Sequence, residues 1–143
     1  MNIKTTPFKE VFILKPTLHL DERGSFMESF NEREVEKVLG KKTMFCQDNL
    51  THSKKGVLRG LHYQLPPFSQ TKLVSVIQGS VLDVVVDIRK GSPTFGQYFS
   101  FELSDDSREE EGSSRCPIYM ENSVALMIKK MFCRLKGFIE GMS

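Results

Sequence analysis

Apolar and polar positions alternate in short runs over the first 103 residues of the chain, and beyond that point the alternation stops. Seven segments, 8–15, 24–30, 44–51, 57–64, 72–78, 81–89 and 96–103, mix β-branched, aromatic and polar side chains over strand-like lengths. Between them stand Asp-Glu-Arg-Gly, Lys-Lys-Gly, Pro-Pro, Gln-Gly-Ser and Lys-Gly-Ser-Pro, which break regular structure because glycine and proline favour turn dihedrals. That cadence predicts an antiparallel sandwich or barrel. One short helix is predicted near 31–39: Asn31 can cap it, Glu34 stands three later, Val35, Val38 and Leu39 make an apolar stripe, and Gly40 suits the stop.

The run from Ser80 to Arg89 shows how a sheet would sort its faces. Leu82, Val84, Val86 and Ile88 fall on one side, and Val81, Asp83, Val85, Asp87 and Arg89 on the other, so the second face is half polar. A barrel interior that holds a ligand has this pattern, and so does a solvated outer face.

After Leu103 the pattern changes. Residues 104–114, SDDSREEEGSS, contain no apolar anchor and read as a loop or disordered linker. From Val124, apolar residues at 124, 127, 128, 131, 135, 138 and 139 recur at helical spacing, with Lys129, Lys130, Arg134 and Lys136 on other faces, which predicts a C-terminal helix near 124–139. A basic amphipathic helix can bind a membrane surface or a partner, can pack on its own sheet, or can remain a poorly ordered tail.

Composition narrows the classes of function. A chain of 143 residues that is 39% hydrophobic can build one well-buried core. Its net charge of +2 is spread without a basic block, which gives no case for nucleic-acid binding. No apolar run approaches the roughly 20 residues needed for a helical membrane span. Cys46, Cys116 and Cys133 lack metal-ligand spacing, and the N-terminal MNIKTTPFKE lacks the apolar core of a secretion signal, so a reduced cytoplasmic compartment is expected.

Candidate chemistry concentrates in Val57–Gln64, VLRGLHYQ, where Arg59 and His62 interrupt an otherwise apolar strand. Strict alternation puts Arg59 with Leu61 and Tyr63, and His62 with Leu58 and Gln64, on opposite faces; a bulge at Gly60 would change that. By itself a histidine among apolar neighbours is more often a structural hydrogen-bonding residue than a catalyst, and a lone arginine is usually a surface charge.

Four stretches in register, DERGSFMESF (21–30), FCQDNLTHS (45–53), GVLRGLHYQ (56–64) and QTKLVSVIQGSVLDVVVDIRKGSPTFG (70–96), resemble the dTDP-4-dehydrorhamnose 3,5-epimerase family. The resemblance covers residues 1–103 and implies a mainly β, cupin-type antiparallel jelly-roll barrel, with 104–143 a divergent linker and tail. It implies epimerisation of dTDP-4-dehydro-6-deoxy-D-glucose at C3 and C5 to dTDP-4-dehydro-L-rhamnose, in dTDP-rhamnose biosynthesis, by a homodimer that uses no cofactor. His62 matches the family's general base, Lys72 the cation near the C4 ketone, and Arg59 an arginine that binds pyrophosphate or supports the same anion. Arg23, Glu28 and the Gln47-Asp48-Asn49 segment match substrate-contacting positions, Phe26 is an apolar contact beside them, and Asp83 is a candidate for orienting a polar neighbour.

The chemistry explains these residue types. A proton α to a ketone is too weakly acidic for imidazole to remove unaided, so a cation must stabilise the enolate as the proton leaves. Imidazole suits the base because its ordinary pKa of about 6.5 leaves much of it neutral at cellular pH. No metal is expected, since His19, His52 and His62 lie far apart and without the ligand pattern of a metal-binding cupin. Members of the family carry, in the half that follows, a histidine-glycine-phenylalanine motif, a proton-donating tyrosine and an aspartate that orients the base. None of these is found after Ser104, and Tyr98 and Tyr119 sit outside the matching pattern. The abrupt break predicts a gene-level disruption such as a frameshift, a barrel incomplete on its C-terminal side, and impaired turnover. A non-catalytic nucleotide-sugar-binding module, or an inactive fragment, is the alternative.

Overall fold

The computed structural model describes residues 2–42 and 44–105, and the strand residues 113–114, 118–120, 124–129 and 133–139. Two sheets face each other. The six-stranded sheet is built from β1 (Asn2–Thr5), β2 (Val11–Lys15), β5 (Gln47–Thr51), β7 (Gln70–Val76), β11 (Ile118–Met120) and β13 (Cys133–Ile139), in the order β1-β2-β11-β7-β13-β5. The five-stranded sheet is built from β6 (Leu58–His62), β8 (Ser80–Asp87), β9 (Tyr98–Ser104), β10 (Ser113–Ser114) and β12 (Val124–Lys129), in the order β10-β9-β8-β12-β6. All pairings are antiparallel except that of β10 with β9. A separate hairpin, β3 (Leu18–Asp21) with β4 (Gly24–Met27), pairs with neither sheet. The strand cadence predicts an antiparallel sandwich or barrel and the family resemblance implies a mainly β, cupin-type jelly roll, and that is the fold observed.

The core between the sheets joins Phe8, Val11, Val74 and Val76 from one side to Val81, Val85 and Leu103 from the other. Strand alternation sends the intervening residues outward, and on the six-stranded sheet that outer face is covered by α1 (Glu32–Leu39). Val35 of α1 packs with Leu14 of β2 and Leu73 of β7, flanked by Phe12, Phe30, Leu39 and Phe45. The helix forms where its local signals predict it. Asn31 Oδ1 accepts from the Glu34 amide at 3.3 Å, and Gly40 takes φ +66° while its N–H donates to the Glu36 carbonyl at 2.8 Å.

The half-polar face of β8 is the inner one: Val81, Asp83, Val85 and Asp87 are buried, whereas Leu82 is 43% exposed. Asp87 tolerates burial because its carboxylate accepts from the Arg89 backbone and guanidinium and from the Ser92 and Thr94 hydroxyls. Arg89 also pairs with Glu10 at 2.7 Å, tying the connection after β8 to the one before β2.

The predicted C-terminal helix near 124–139 is not formed. Residues 124–129 are β12, inserted between β8 and β6, and residues 133–139 are β13, inserted between β7 and β5. Backbone pairing on both sides of each strand outweighs a helical apolar period, and Gly137 together with β-branched Val124, Ile128 and Ile139 disfavours the helix. Of the predicted linker over 104–114, Ser104 ends β9 and Ser113–Ser114 form β10; 106–112 lie outside the described residues.

Candidate active site

The register of the five-stranded sheet decides which way Arg59 and His62 point. On β12 their partners Ile128 and Leu126 are two residues apart, whereas Arg59 and His62 are three apart, so β6 carries one extra residue. Gly60 lies in that bulge at φ +136°, a conformation that a side chain strains. Ile128 also faces Asp83 and Leu126 faces Val85, so Arg59 falls in the row of Asp83 and His62 in the row of Val85. The bulge therefore turns both residues to the inner face, which strict alternation would not do. Both stay exposed, because β6 is an edge of its sheet.

The opposite wall comes from β7. Lys72 alternates with Val74 and Val76, which belong to the core between the sheets, while Leu73 belongs to the helix-side cluster. Gly137 of β13 stands between Lys72 and Gln47, and Leu135 between Val74 and Asn49, so Gln47 and Asn49 share the face of Lys72. The Gln47 amide donates to Asn49 Oδ1 at 3.2 Å. Asp48 falls in the row of Leu73, on the other face, and is thereby separated from its two neighbours.

Lys72 and Asp83 feel each other across the interior. Burial pushes the Lys72 ammonium below the ordinary lysine range, and the Asp83 charge pulls it partly back. Burial raises the Asp83 carboxyl to about 8, against smaller opposing effects of the Val84 amide and Lys72. Among the described residues neither Asp83 oxygen has a partner with hydrogen-bonding geometry, so the Val84 amide acts as a nearby dipole rather than as a bond. A carboxyl without a partner is held protonated because nothing replaces the water that an ionised one would need.

The structure does not bring every expected residue to this interior. Arg23 lies at the turn of the β3–β4 hairpin and donates to Asp21, and Phe26 on β4 is 70% exposed. Glu28 follows that strand and is exposed. Tyr98 is 73% exposed on β9, and Tyr119 stands in the row of Leu73 and Phe12. Ser53, which sequence reasoning missed in the polar run after β5, is buried and accepts from Arg59 Nε at 2.9 Å. No signal short of the fold marks it. Among the described residues, no three His, Cys, Asp or Glu side chains converge as metal ligands, and no helix is long and apolar enough to cross a membrane.

The model of the dTDP-4-dehydrorhamnose 3,5-epimerase family matches residues 5–110. A dTDP-4-dehydrorhamnose 3,5-epimerase of Shigella flexneri is 51% identical over 77% of this chain and 61% of its own length. Its counterpart in Salmonella typhimurium is 47% identical over 77% and 60%. The chain thus spans about three fifths of these curated relatives. A Legionella pneumophila dTDP-6-deoxy-D-glucose-3,5-epimerase, solved in complex with dTDP-4-keto-L-rhamnose, superposes with a TM-score of 0.86 at 40% identity, covering 96% of this chain and 71% of that one.

Proposed function

Because the chain belongs to the dTDP-4-dehydrorhamnose 3,5-epimerase family, we propose that it carries out that family's proton chemistry: abstraction α to the C4 ketone of dTDP-4-dehydro-6-deoxy-D-glucose and inversion at C3 and C5 to dTDP-4-dehydro-L-rhamnose. His62 is the base and Lys72 the cation that meets the enolate oxygen. The observation that carries the reading is the register: a single bulge turns Arg59 and His62 to the inner face of their sheet, and Lys72 lies on the inner face of the other.

The division of labour follows from elementary chemistry. Abstraction leaves negative charge on the ketone oxygen, and a cation in a partly dehydrated site stabilises it far more than the same cation in water. Lys72 is half-buried on the face of β7 that carries core Val74 and Val76, so its charge is poorly screened. Asp83 is the group that keeps that ammonium protonated when it ionises and releases it when neutral. Arg59, exposed at the edge, suits the diphosphate, because a guanidinium fork takes two phosphate oxygens at once. Gln47 and Asn49 supply neutral polar contacts on the Lys72 wall. Arg23, Phe26, Glu28 and Asp48 serve the substrate from outside this cluster.

The reading includes a cytoplasmic homodimer. Cys46, an exposed thiol outside any disulfide, fits a reducing compartment. The β3–β4 hairpin, with Leu20 74% and Phe26 70% exposed, is the kind of isolated two-stranded element that needs cover, and a second copy is the proposed cover. Sedimentation of the purified chain tests this point, a monomer at all concentrations refuting it.

The chemistry is tested by incubating the purified protein with the 4-keto-6-deoxy nucleotide sugar in deuterated water and following C3 and C5 by NMR. Deuterium at both carbons, lost in His62→Ala, is the expected result. Binding without exchange would reduce the chain to a nucleotide-sugar-binding module, and neither binding nor exchange would refute the reading altogether.

A further inference from the structure

Arg59 differs from the other paired arginines in what holds it. Arg23 is met by Asp21, and Arg89 by Asp87 and Glu10, so each of those charges is neutralised within the fold. Arg59 has one side-chain partner among the described residues, the Ser53 hydroxyl, which accepts from Nε at 2.9 Å. A hydroxyl orients a guanidinium without cancelling its charge. The bond is made through Nε, which fixes the guanidinium plane and leaves both Nη groups, the fork that grips an oxyanion, uncommitted.

The position of Ser53 makes it an effective anchor. The connection 52–57 carries the chain from β5, an edge of one sheet, to β6, an edge of the other. Ser53 is 8% exposed although His52 and Lys54 beside it are exposed, so its hydroxyl is fixed by packing while Arg59 reaches to it from the open edge. We propose that Ser53 is a positioning residue that holds the Arg59 guanidinium with both Nη groups presented to the diphosphate of the nucleotide sugar, before the ligand arrives. The proposal rests on the functional reading above. Its physical content is preorganisation: a long side chain on an exposed edge samples many rotamers, and the Nε bond removes most of them in advance.

The test uses the intact chain and dTDP as the probe. In the ligand-free protein, a slowly exchanging Arg59 Nε–H resonance is expected in 15N–1H spectra, absent in Ser53→Ala and retained in Ser53→Thr. Calorimetric titration with dTDP should show an affinity about tenfold weaker for Ser53→Ala, as for loss of one hydrogen bond to a charged group, and near wild type for Ser53→Thr. In an Arg59→Ala background, Ser53→Ala should add nothing. An unchanged Nε–H resonance in Ser53→Ala, or an equal loss with and without Arg59, would overturn the proposal. If Arg59→Ala weakens dTDP binding and Ser53→Ala does not, only the proposal falls; if Arg59→Ala changes nothing, the functional reading of Arg59 falls with it. If Ser53→Ala unfolds, Ser53→Cys, which keeps the side-chain volume and offers only a weak sulfur acceptor, takes its place with the same expected losses, and Ser53→Thr remains the control that retains the bond.

Discussion

Replacing Asp83 with asparagine should abolish most of the pH dependence of stability. In the folded chain the Asp83 carboxyl is raised from 3.8 to about 8 by burial without a partner. In the unfolded chain it ionises near its ordinary value. Between roughly pH 4 and pH 8 the folded state therefore binds a proton that the unfolded state has released, so stability falls as pH rises. At about 1.4 kcal/mol per pKa unit, some four units amount to a loss on the order of 5 kcal/mol across that window. That is comparable to the whole stability of a small domain. The substituted amide cannot ionise, and its only penalty is burial with poor partners, about 1–3 kcal/mol at every pH. Urea unfolding followed by circular dichroism at pH 5, 7 and 8.5 checks this. About 4 kcal/mol of that loss falls between pH 5 and 8.5, so with a slope near 2 kcal/mol per molar the wild-type midpoint should drop by roughly 2 M. The Asp83→Asn midpoint should stay nearly flat and overtake the wild type above neutrality. Parallel pH profiles for the two proteins would refute the assignment of a neutral, unpartnered carboxyl.

Lys72→Met, which keeps the stem and removes the charge, should lower deuterium exchange at C3 by a factor of about 100 or more while leaving dTDP binding within a few-fold, measured by NMR and calorimetry. Asp87→Ala strands Arg89 beside Glu10 and breaks five hydrogen bonds, so a destabilisation of about 3–5 kcal/mol is expected in urea unfolding. The neighbouring Arg89 holds the Asp87 carboxyl well below the usual carboxylate range, so the stability it confers is present above about pH 4 and fades only in strong acid, which acid titration of circular dichroism should show. Gly60→Ala forces a side chain into φ +136° and should cost about 1–3 kcal/mol and weaken dTDP binding, whereas Asn31→Ala should cost about 1 kcal/mol and leave binding unchanged.

The features legible in the sequence are those decided by near neighbours. The cap at Asn31, the apolar stripe through Val35 and the stop at Gly40 lie within ten residues, and the helix they predict is the one observed. Alternation separates the two faces of β8, but not which of them turns inward. Asp87 is satisfied by Ser92 and Thr94 around a turn, whereas Asp83 lies inside without a partner among the described residues, and neither circumstance shows in the alternation. The tail defeats periodicity because its strands are defined by what they pair with. Val124–Lys129 and Cys133–Ile139 show a helical period, yet each lies between two strands that leave it no freedom to coil. The site has the same limit. Gly60 marks where a bulge could be, but its effect on Arg59 and His62 depends on β12, and Ser53 has no mark at all before the crossover between sheets is built.

Among the described residues, β5 touches its sheet only through β13, and β6 only through β12. The two segments that carry Gln47, Asn49, Arg59 and His62 are thus synthesised long before the strands that dock them. A nascent chain must keep four of its polar site residues waiting, undocked, until ribosomal synthesis reaches the tail. Docking of β5 and β6 consequently follows synthesis of β12 and β13, and it is slow, because every contact that closes it spans a large loop.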